Sequence, residues 1–393
     1  MASKPKILTF VGFYLPGYKA GGPLRTIANM VDHLGDDFEF WIVTSDRDLG
    51  DTKAYPGLLL DQWLTHGNAR VFYLSPKNKT VEGLANVIKN TPHDVLYLNS
   101  FFDPVFTLKP LLARFRSKFH RRPLVLAPRG EFSPEALKIR GAKKSVYMFI
   151  GKLLGLYKGV TWQASSEHEA EDIRNALGVA DSEIFIASDL PSKTVNRASV
   201  VSNSNGCVAS RGVVRIVFLS RISPMKNLDY ALRILACVRA RVIFDIYGPI
   251  EDFDYWQECQ ELVGKLSSHV EVHYRGAVAP SEVSATFAQY DLFLFPSRGE
   301  NYGHVIAESL EVGTSVLISD RTPWRNLAAD GLGWDLALTE MGKFVEVIEG
   351  LALKNSEERK KMRHLVKSRA CERLLDPAAL ASTRELFLGC LSL

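Results

Sequence analysis

Leu292-Phe-Leu-Phe-Pro296, then Ser297-Arg298, then Gly299-Glu300-Asn-Tyr-Gly-His304-Val-Ile-Ala-Glu308-Ser309 reads as a buried strand, a short loop and the opening of a helix. Four apolar residues in a row stop at a proline, which cannot continue a central strand. Gly303 stands where a helix would begin. Val305, Ile306 and Leu310 then fall on one helical stripe facing inward, while Glu308 turns to the open flank. A carboxylate on the loop and another further into the helix can grip two parts of one polar ligand, and the helix N-terminus between them suits an anion. Two glutamates eight positions apart are weak by themselves, since a loop residue and a surface-helix residue give the same pattern by chance. The flanking strand and the rest of the chain give the pair its meaning.

Outward from this unit, the chain repeats the alternation of short β-branched or aromatic runs with longer amphipathic ones that marks stacked βα units and a parallel sheet. In the first half, strands are expected at Ile7–Val11, Phe38–Thr44, Arg70–Tyr73, Val95–Asn99, Leu124–Ala127 and Val160–Gln163. Helices are expected to start near Pro23, Val81, Pro104 and Lys144, with another after Ser166. The Ser- and Asn-rich run 191–212 breaks the pattern and reads as a linker. The alternation restarts with strands at Val214–Leu219, Val242–Tyr247, Val270–Tyr274, Leu292–Phe295 and Val316–Ser319. Helices fall between them near Leu228, Tyr255, Ser281 and His304. The expected organisation is therefore a domain at 1–190, a linker at 191–212, a second domain at 213–375, and a helix at 376–393 returning to the first domain.

At 393 residues the chain is long for one core, which agrees with two domains. Its five cysteines are scattered and form no C-x-x-C pair, which argues for a reducing compartment without structural disulfides or a thiolate zinc site. The N-terminal residues read as the lead-in to a first strand and not as a signal peptide. No run of eighteen apolar residues occurs, so no membrane span is expected. The formal net charge of +4 conceals a concentration of cations between Lys109 and Lys158, where only Glu131 and Glu135 oppose the Lys and Arg.

In open α/β sheets ligands bind beyond the carboxyl ends of the strands, and the chemistry-bearing residues sit there. Arg221 and Lys226 follow the first strand of the second domain. An Arg suits bidentate contact with a diphosphate and a Lys serves as a point charge. Gly248 and the Gly276-Ala277 pair end the next two strands, where glycine lets backbone approach a ligand. Plain tight turns would look the same. In the first domain Gly21-Gly22 precede Pro23 at a helix start, where backbone N–H groups can meet a phosphate. Asp46-Arg47-Asp48 matches a metal-holding D-x-D, but it follows the second strand of the other domain, so no metal is assigned. His304 starts a helix, which favours a phosphate or packing role over that of a base. Neither G-x-G-x-x-G nor a Walker loop occurs, and Gly331-Leu-Gly333 lacks the third glycine.

Together these segments resemble the retaining glycosyltransferases of the GT-B fold, family four, of the bacterial envelope-polysaccharide type. Pro128-Arg129-Gly130 and Thr322-Pro323-Trp324 add to the likeness. The resemblance implies an α/β fold of two facing doubly wound, Rossmann-like domains with an interdomain cleft. It implies transfer of a sugar with retention, without a metal, from a nucleotide diphosphate sugar, uridine somewhat preferred over guanosine, to a lipid-linked saccharide or other glycan. By the same likeness Glu300, Arg221 and Lys226 serve catalysis. Glu308, Asn301, Tyr302, Gly303, Gly248, Ala277, Gly21 and Gly22 bind the donor, with Glu308 on the ribose hydroxyls. Arg129 stands where many members carry a His and, with Asn99, is a candidate acceptor or sugar contact, although an arginine cannot act as a base. No cofactor beyond the sugar nucleotide is implied, and no nucleic acid. The expected location is the cytoplasm, at the inner face of the membrane, with 109–158 on an anionic surface. A nucleotide-sugar epimerase and a catalytically idle binding subunit of the same fold are the alternatives.

Overall fold

The computed structural model describes residues 3–116, 122–139, 141–193, 212–374 and 376–392. They form two compact units, Met1–Lys193 with Pro377–Leu393, and Thr194–Asp376. Most of the expected linker, 194–211, lies outside the described residues.

The first unit contains, in order, β1 (Lys6–Phe10), α1 (Gly22–Leu34), β2 (Glu39–Ser45), β3 (Trp63–His66), β4 (Ala69–Leu74), α2 (Val81–Asn90) and β5 (Val95–Asn99). After a π-helical turn at Pro104–Leu108 come α3 (Lys109–Arg116), β6 (Leu124–Ala127), α4 (Pro134–Lys138), α5 (Gly141–Leu153), β7 (Val160–Ala164), α6 (Glu167–Leu177) and β8 (Ile184–Ile186). The sheet order is β3-β4-β2-β1-β5-β6-β7-β8, parallel throughout except for the β3–β4 hairpin. Strand residues alternate between two apolar layers. Leu8, Phe10 and Leu98 face one, and Ile7, Tyr97 and Val125 face the other. Two strands and the short helix α4 lie outside the expected elements. β3 is a half-buried edge strand without an apolar run, and β8 is three residues long.

The second unit contains β9 (Val213–Leu219), α7 (Leu228–Cys237), β10 (Arg241–Tyr247), α8 (Phe253–Val263), β11 (Val270–Gly276), α9 (Val283–Phe287), β12 (Leu292–Phe295), α10 (His304–Glu311), β13 (Ser315–Ser319) and β14 (Gly333–Leu336). Then come α11 (Met341–Leu353) and α12 (Ser356–Leu374). Its sheet is wholly parallel in the order β11-β10-β9-β12-β13-β14. Counted within the unit this is 3-2-1-4-5-6, the doubly wound dinucleotide-fold order. The order reverses between β9 and β12, so the ends of those two strands form the topological switch point. β14 escapes a sequence reading because it opens on Gly333, a poor strand former.

The last helix, α13 (Pro377–Leu391), belongs to the first unit. Phe387 packs edge-on against Phe38 and Tyr97, with ring centroids 5.5 and 5.3 Å apart.

Candidate active site

The two loops leaving the switch strands of the second unit are stitched together. The β9–α7 loop makes a short 3-10 turn at Pro224–Lys226 and ends at Asn227, whose backbone is left-handed at φ 61°. That conformation aims the Asn227 side chain at the neighbouring loop. Its Nδ2 donates to the Pro296 carbonyl at 2.8 Å, and its Oδ1 accepts from Arg298 Nε at 3.0 Å. The Arg298 amide in turn donates to the Met225 carbonyl at 2.9 Å.

Lys226 and Glu300 meet inside this stitching. Lys226 Nζ lies 2.5 Å from Glu300 Oε1, with only 13% and 11% of the two side chains exposed. Ser297 Oγ donates to the same Oε1 at 2.8 Å, and the Glu300 amide donates to the Arg321 carbonyl beyond β13 at 3.2 Å. Glu300 is thus fixed from three directions before any ligand arrives. Arg221 is held differently. Its Nη1 sits 2.9 Å from Glu251 Oε1 in a pair about one-third exposed, so it is free to exchange Glu251 for an anion at modest cost.

Downstream of Glu300, Gly303 caps α10 at φ 82°, a left-handed conformation that glycine adopts without strain. A Cβ there would lie 2.9 Å from the Ile306 side chain. Trp324 Nε1 donates to the Tyr302 carbonyl at 2.6 Å, and the Tyr302 ring rests against Trp324 and His304 with centroids 5.7 and 4.7 Å away. His304 is buried and takes part in this ring packing. In α10 Ile306 and Leu310 are buried, while Val305 and Glu308 are half-exposed.

Gly248 has a structural duty. Its φ is 139°, and a Cβ would overlap the Ser220 carbonyl oxygen, so the glycine lets the backbone just past the paired ends of β9 and β10 approach this closely. Ala277 follows the end of β11, whose Tyr274 Oη donates to the Gly248 carbonyl at 2.9 Å.

In the first unit Gly21 caps α1, and a Cβ at Gly21 or Gly22 would meet nothing within 4 Å. Asp48 holds this loop, accepting from the Tyr18 and Lys19 amides at 2.7 and 3.0 Å. Asp46 pairs with Arg47 at 2.8 Å, which holds its carboxyl below the usual range. The two aspartates of the D-x-D therefore have separate structural partners.

Arg129 turns inward. Its guanidinium forms an ion pair with Asp189, touches the Tyr97 hydroxyl and donates twice to Asn99 Oδ1 at 2.9 and 3.1 Å, leaving 5% of the side chain exposed. The expected contact with a sugar or phosphate oxygen does not fit this geometry, because its hydrogen-bonding fork is committed within the protein. Arg129 instead positions Asn99, whose buried Nδ2 has no partner among the described residues. Glu169 locks the same turn by accepting from the Gly130 and Ser165 amides at 2.6 and 2.7 Å, and burial pushes its carboxyl up.

The sequence gives no role to Ser297, Asn227 and Asp189, offers Asp48 only as part of a D-x-D, and shows Trp324 only as part of a likeness. Their one common signal is placement within a few residues of a strand end. Among the described residues no cluster of His, Cys, Asp and Glu could hold a metal ion.

The two Rossmann-like sheets are those of a GT-B fold, and in the second of them Lys226 and the fixed carboxylate of Glu300 meet at the switch point. Residues 210–369 match the family of glycosyl transferases group 1, and the chain carries this glycosyltransferase domain. An uncharacterized 41.2 kDa protein in the cps region of Klebsiella pneumoniae is 23% identical over 280 residues, 70% of this chain and 74% of that one. HepE of Anabaena, solved with UDP and glucose, superposes with a TM-score of 0.65 at 16% identity over 99% of this chain and 100% of its own. WaaG, a glycosyltransferase involved in lipopolysaccharide biosynthesis, gives 0.66 at 14% identity over 97% and 99%.

Proposed function

We propose that the protein moves a hexosyl or N-acetylhexosaminyl unit, with retention and without a metal, from a nucleotide diphosphate sugar to a lipid-linked saccharide or other glycan of the cell envelope. The observation that carries this reading is the Lys226–Glu300 pair, enclosed at the switch point of a 3-2-1-4-5-6 sheet. A nucleotide diphosphate laid across the ends of β9 and β12 brings its phosphates to Lys226 and to Arg221, once Arg221 leaves Glu251. Glu300 and the backbone from Asn301 to Gly303 then face the sugar, and Glu308 the ribose. Retention follows from attack on the face the diphosphate is leaving. The acceptor hydroxyl gives its proton to the departing phosphate oxygen, whose charge Lys226 and Arg221 stabilise. Uridine is preferred as the base, in keeping with the UDP held by HepE. The cps-region relative supports an envelope polysaccharide as the product. The enzyme works in the cytoplasm at the inner face of the membrane, where a lipid-linked acceptor is presented.

The test is a panel of nucleotide sugars, with nucleotide release measured with and without a lipid-linked acceptor. Release that depends on acceptor supports transfer. Release without acceptor, accompanied by a free isomerised sugar, would replace transfer with epimerisation. No release from any donor would leave a binding subunit.

A further inference from the structure

Helix α5 is amphipathic the wrong way round for a helix whose apolar face serves only the core. Lys144, Tyr147, Met148 and Gly151, spaced i, i+3, i+4 and i+7, face the body of the unit. The Tyr147 hydroxyl donates to the Phe101 carbonyl at 3.1 Å, and Lys144 Nζ lies 4.7 Å from the Phe102 ring. The opposite arc is apolar and exposed. Phe149 is 67% and Leu153 75% accessible, and Val146 and Ile150 beside them are about half accessible. At 100° per residue these four side chains span roughly 100° of arc, with Lys143 on one flank and Lys152 on the other. Leu154, just past the helix end, and Ile139, two positions before its start, are also exposed. Large contiguous apolar surface of this kind marks an interaction site.

Charge selects the occupant. The stretch from Lys109 to Lys158 opposes its many cations with Glu131 and Glu135 alone. A second copy docking on this face about a twofold axis would bring like charges together. A lipid surface with anionic headgroups accepts apolar side chains among its acyl chains and the flanking ammonium groups at its headgroups. We propose that α5 is the element that seats the protein on an anionic bilayer, with Val146, Phe149, Ile150 and Leu153 entering the interface. This deepens the membrane-side part of the proposed function and assigns it to one helix. In the basic helix α3, by contrast, Leu111, Ala113 and Arg114 are buried and Phe115 alone is a large exposed apolar side chain among its described residues.

The test is co-sedimentation of the full chain with vesicles of phosphatidylcholine alone or mixed with phosphatidylglycerol. The wild type is expected to pellet with the anionic vesicles only. F149S/L153S should lower the bound fraction at least about tenfold with an unchanged Tm, because both side chains lie outside the core. Lys143→Glu and added salt should weaken binding by smaller factors. Wild-type protein left in the supernatant at low salt overturns the proposal, as does F149S/L153S protein that pellets like the wild type. A dimer by light scattering that F149S/L153S dissolves, without vesicle binding, would make a second copy the occupant and also overturn it. Nucleotide release toward a soluble acceptor, measured on the same samples, is expected to be equal in both proteins. Its absence from the wild type would count against the transferase reading and leave the docking result standing.

Discussion

Lys226 Nζ stands 2.5 Å from Glu300 Oε1 across the junction of β9 and β12, the point where the strand order of the second unit reverses. The two side chains come from loops 74 positions apart in sequence. Their meeting depends on the hydrogen bonds of Asn227 to Pro296 and of Arg298 to Met225. In the proposed mechanism the ammonium neutralises a carboxylate that would otherwise repel a diphosphate, and it remains at hand for that diphosphate. Removing Lys226 therefore acts twice: it deletes a stabilising charge and leaves Glu300 enclosed without its partner.

Lys226→Ala is expected to lower turnover by about 100-fold or more, the scale of losing one preorganised electrostatic contact in a transition state. Acceptor-dependent nucleotide release under saturating donor measures it. EDTA in the same assay should leave the wild-type rate unchanged. Full activity in Lys226→Ala, or a rate abolished by EDTA, would defeat the proposed mechanism.

Trp324 braces the loop proposed to hold the donor. Its indole N–H donates to the Tyr302 carbonyl, and the Arg373 guanidinium lies 5.5 Å from its ring centroid. Trp324→Phe keeps the apolar volume and deletes the donor, leaving the loop from Glu300 to Gly303 less fixed. The expected result is a several-fold rise in donor KM with a smaller change in kcat, because a looser loop weakens ground-state binding. A drop in kcat at constant KM would contradict this positioning role.

Gly248→Ala places a methyl group on the Ser220 carbonyl oxygen in a backbone region closed to other residues. Backbone, not a flexible side chain, must move, so a destabilisation of about 3 kcal/mol or more is expected. Urea unfolding of the variant measures it. A loss below about 1 kcal/mol would show that the β9 and β10 ends separate easily.

The repeating βα alternation was legible because each buried strand is a short β-branched or aromatic run, as in Leu292–Phe295. β3 and β14 were not, since an edge strand and a glycine-led strand carry no such run. Arg221, Lys226 and Glu300 could be placed from their position after strands. Arg129 shows where that logic stops. Its position after β6 suggested a ligand contact, but its inward turn is set by Asp189 and Tyr97, which are far away in sequence and converge on it only in the fold. A partner 60 residues off leaves no local signal.

The first unit should lose stability with acid because of His93. The ring is buried at 6% exposure, and its pKa is pushed down to about 4, first by burial and then by the nearby Arg122 charge. Nδ1 lies 2.8 Å from the Thr91 carbonyl and from Arg122 Nη1, so it either donates to the former or accepts from the latter. Above pH 6.5, the ordinary value, the imidazole is neutral both folded and unfolded and contributes no pH dependence. As pH falls from 6.5 toward 4, the unfolded chain binds a proton that the folded chain refuses, and stability declines. At about 1.4 kcal/mol per unit the full loss approaches roughly 3 kcal/mol. Below pH 4 the folded imidazole protonates as well and this contribution levels off. His93→Gln, which cannot titrate, should flatten the slope of unfolding free energy between pH 6.5 and 4, whatever the substitution costs at pH 8. Urea unfolding across that range compares the two proteins, and parallel pH profiles would show that His93 protonates as readily folded as unfolded.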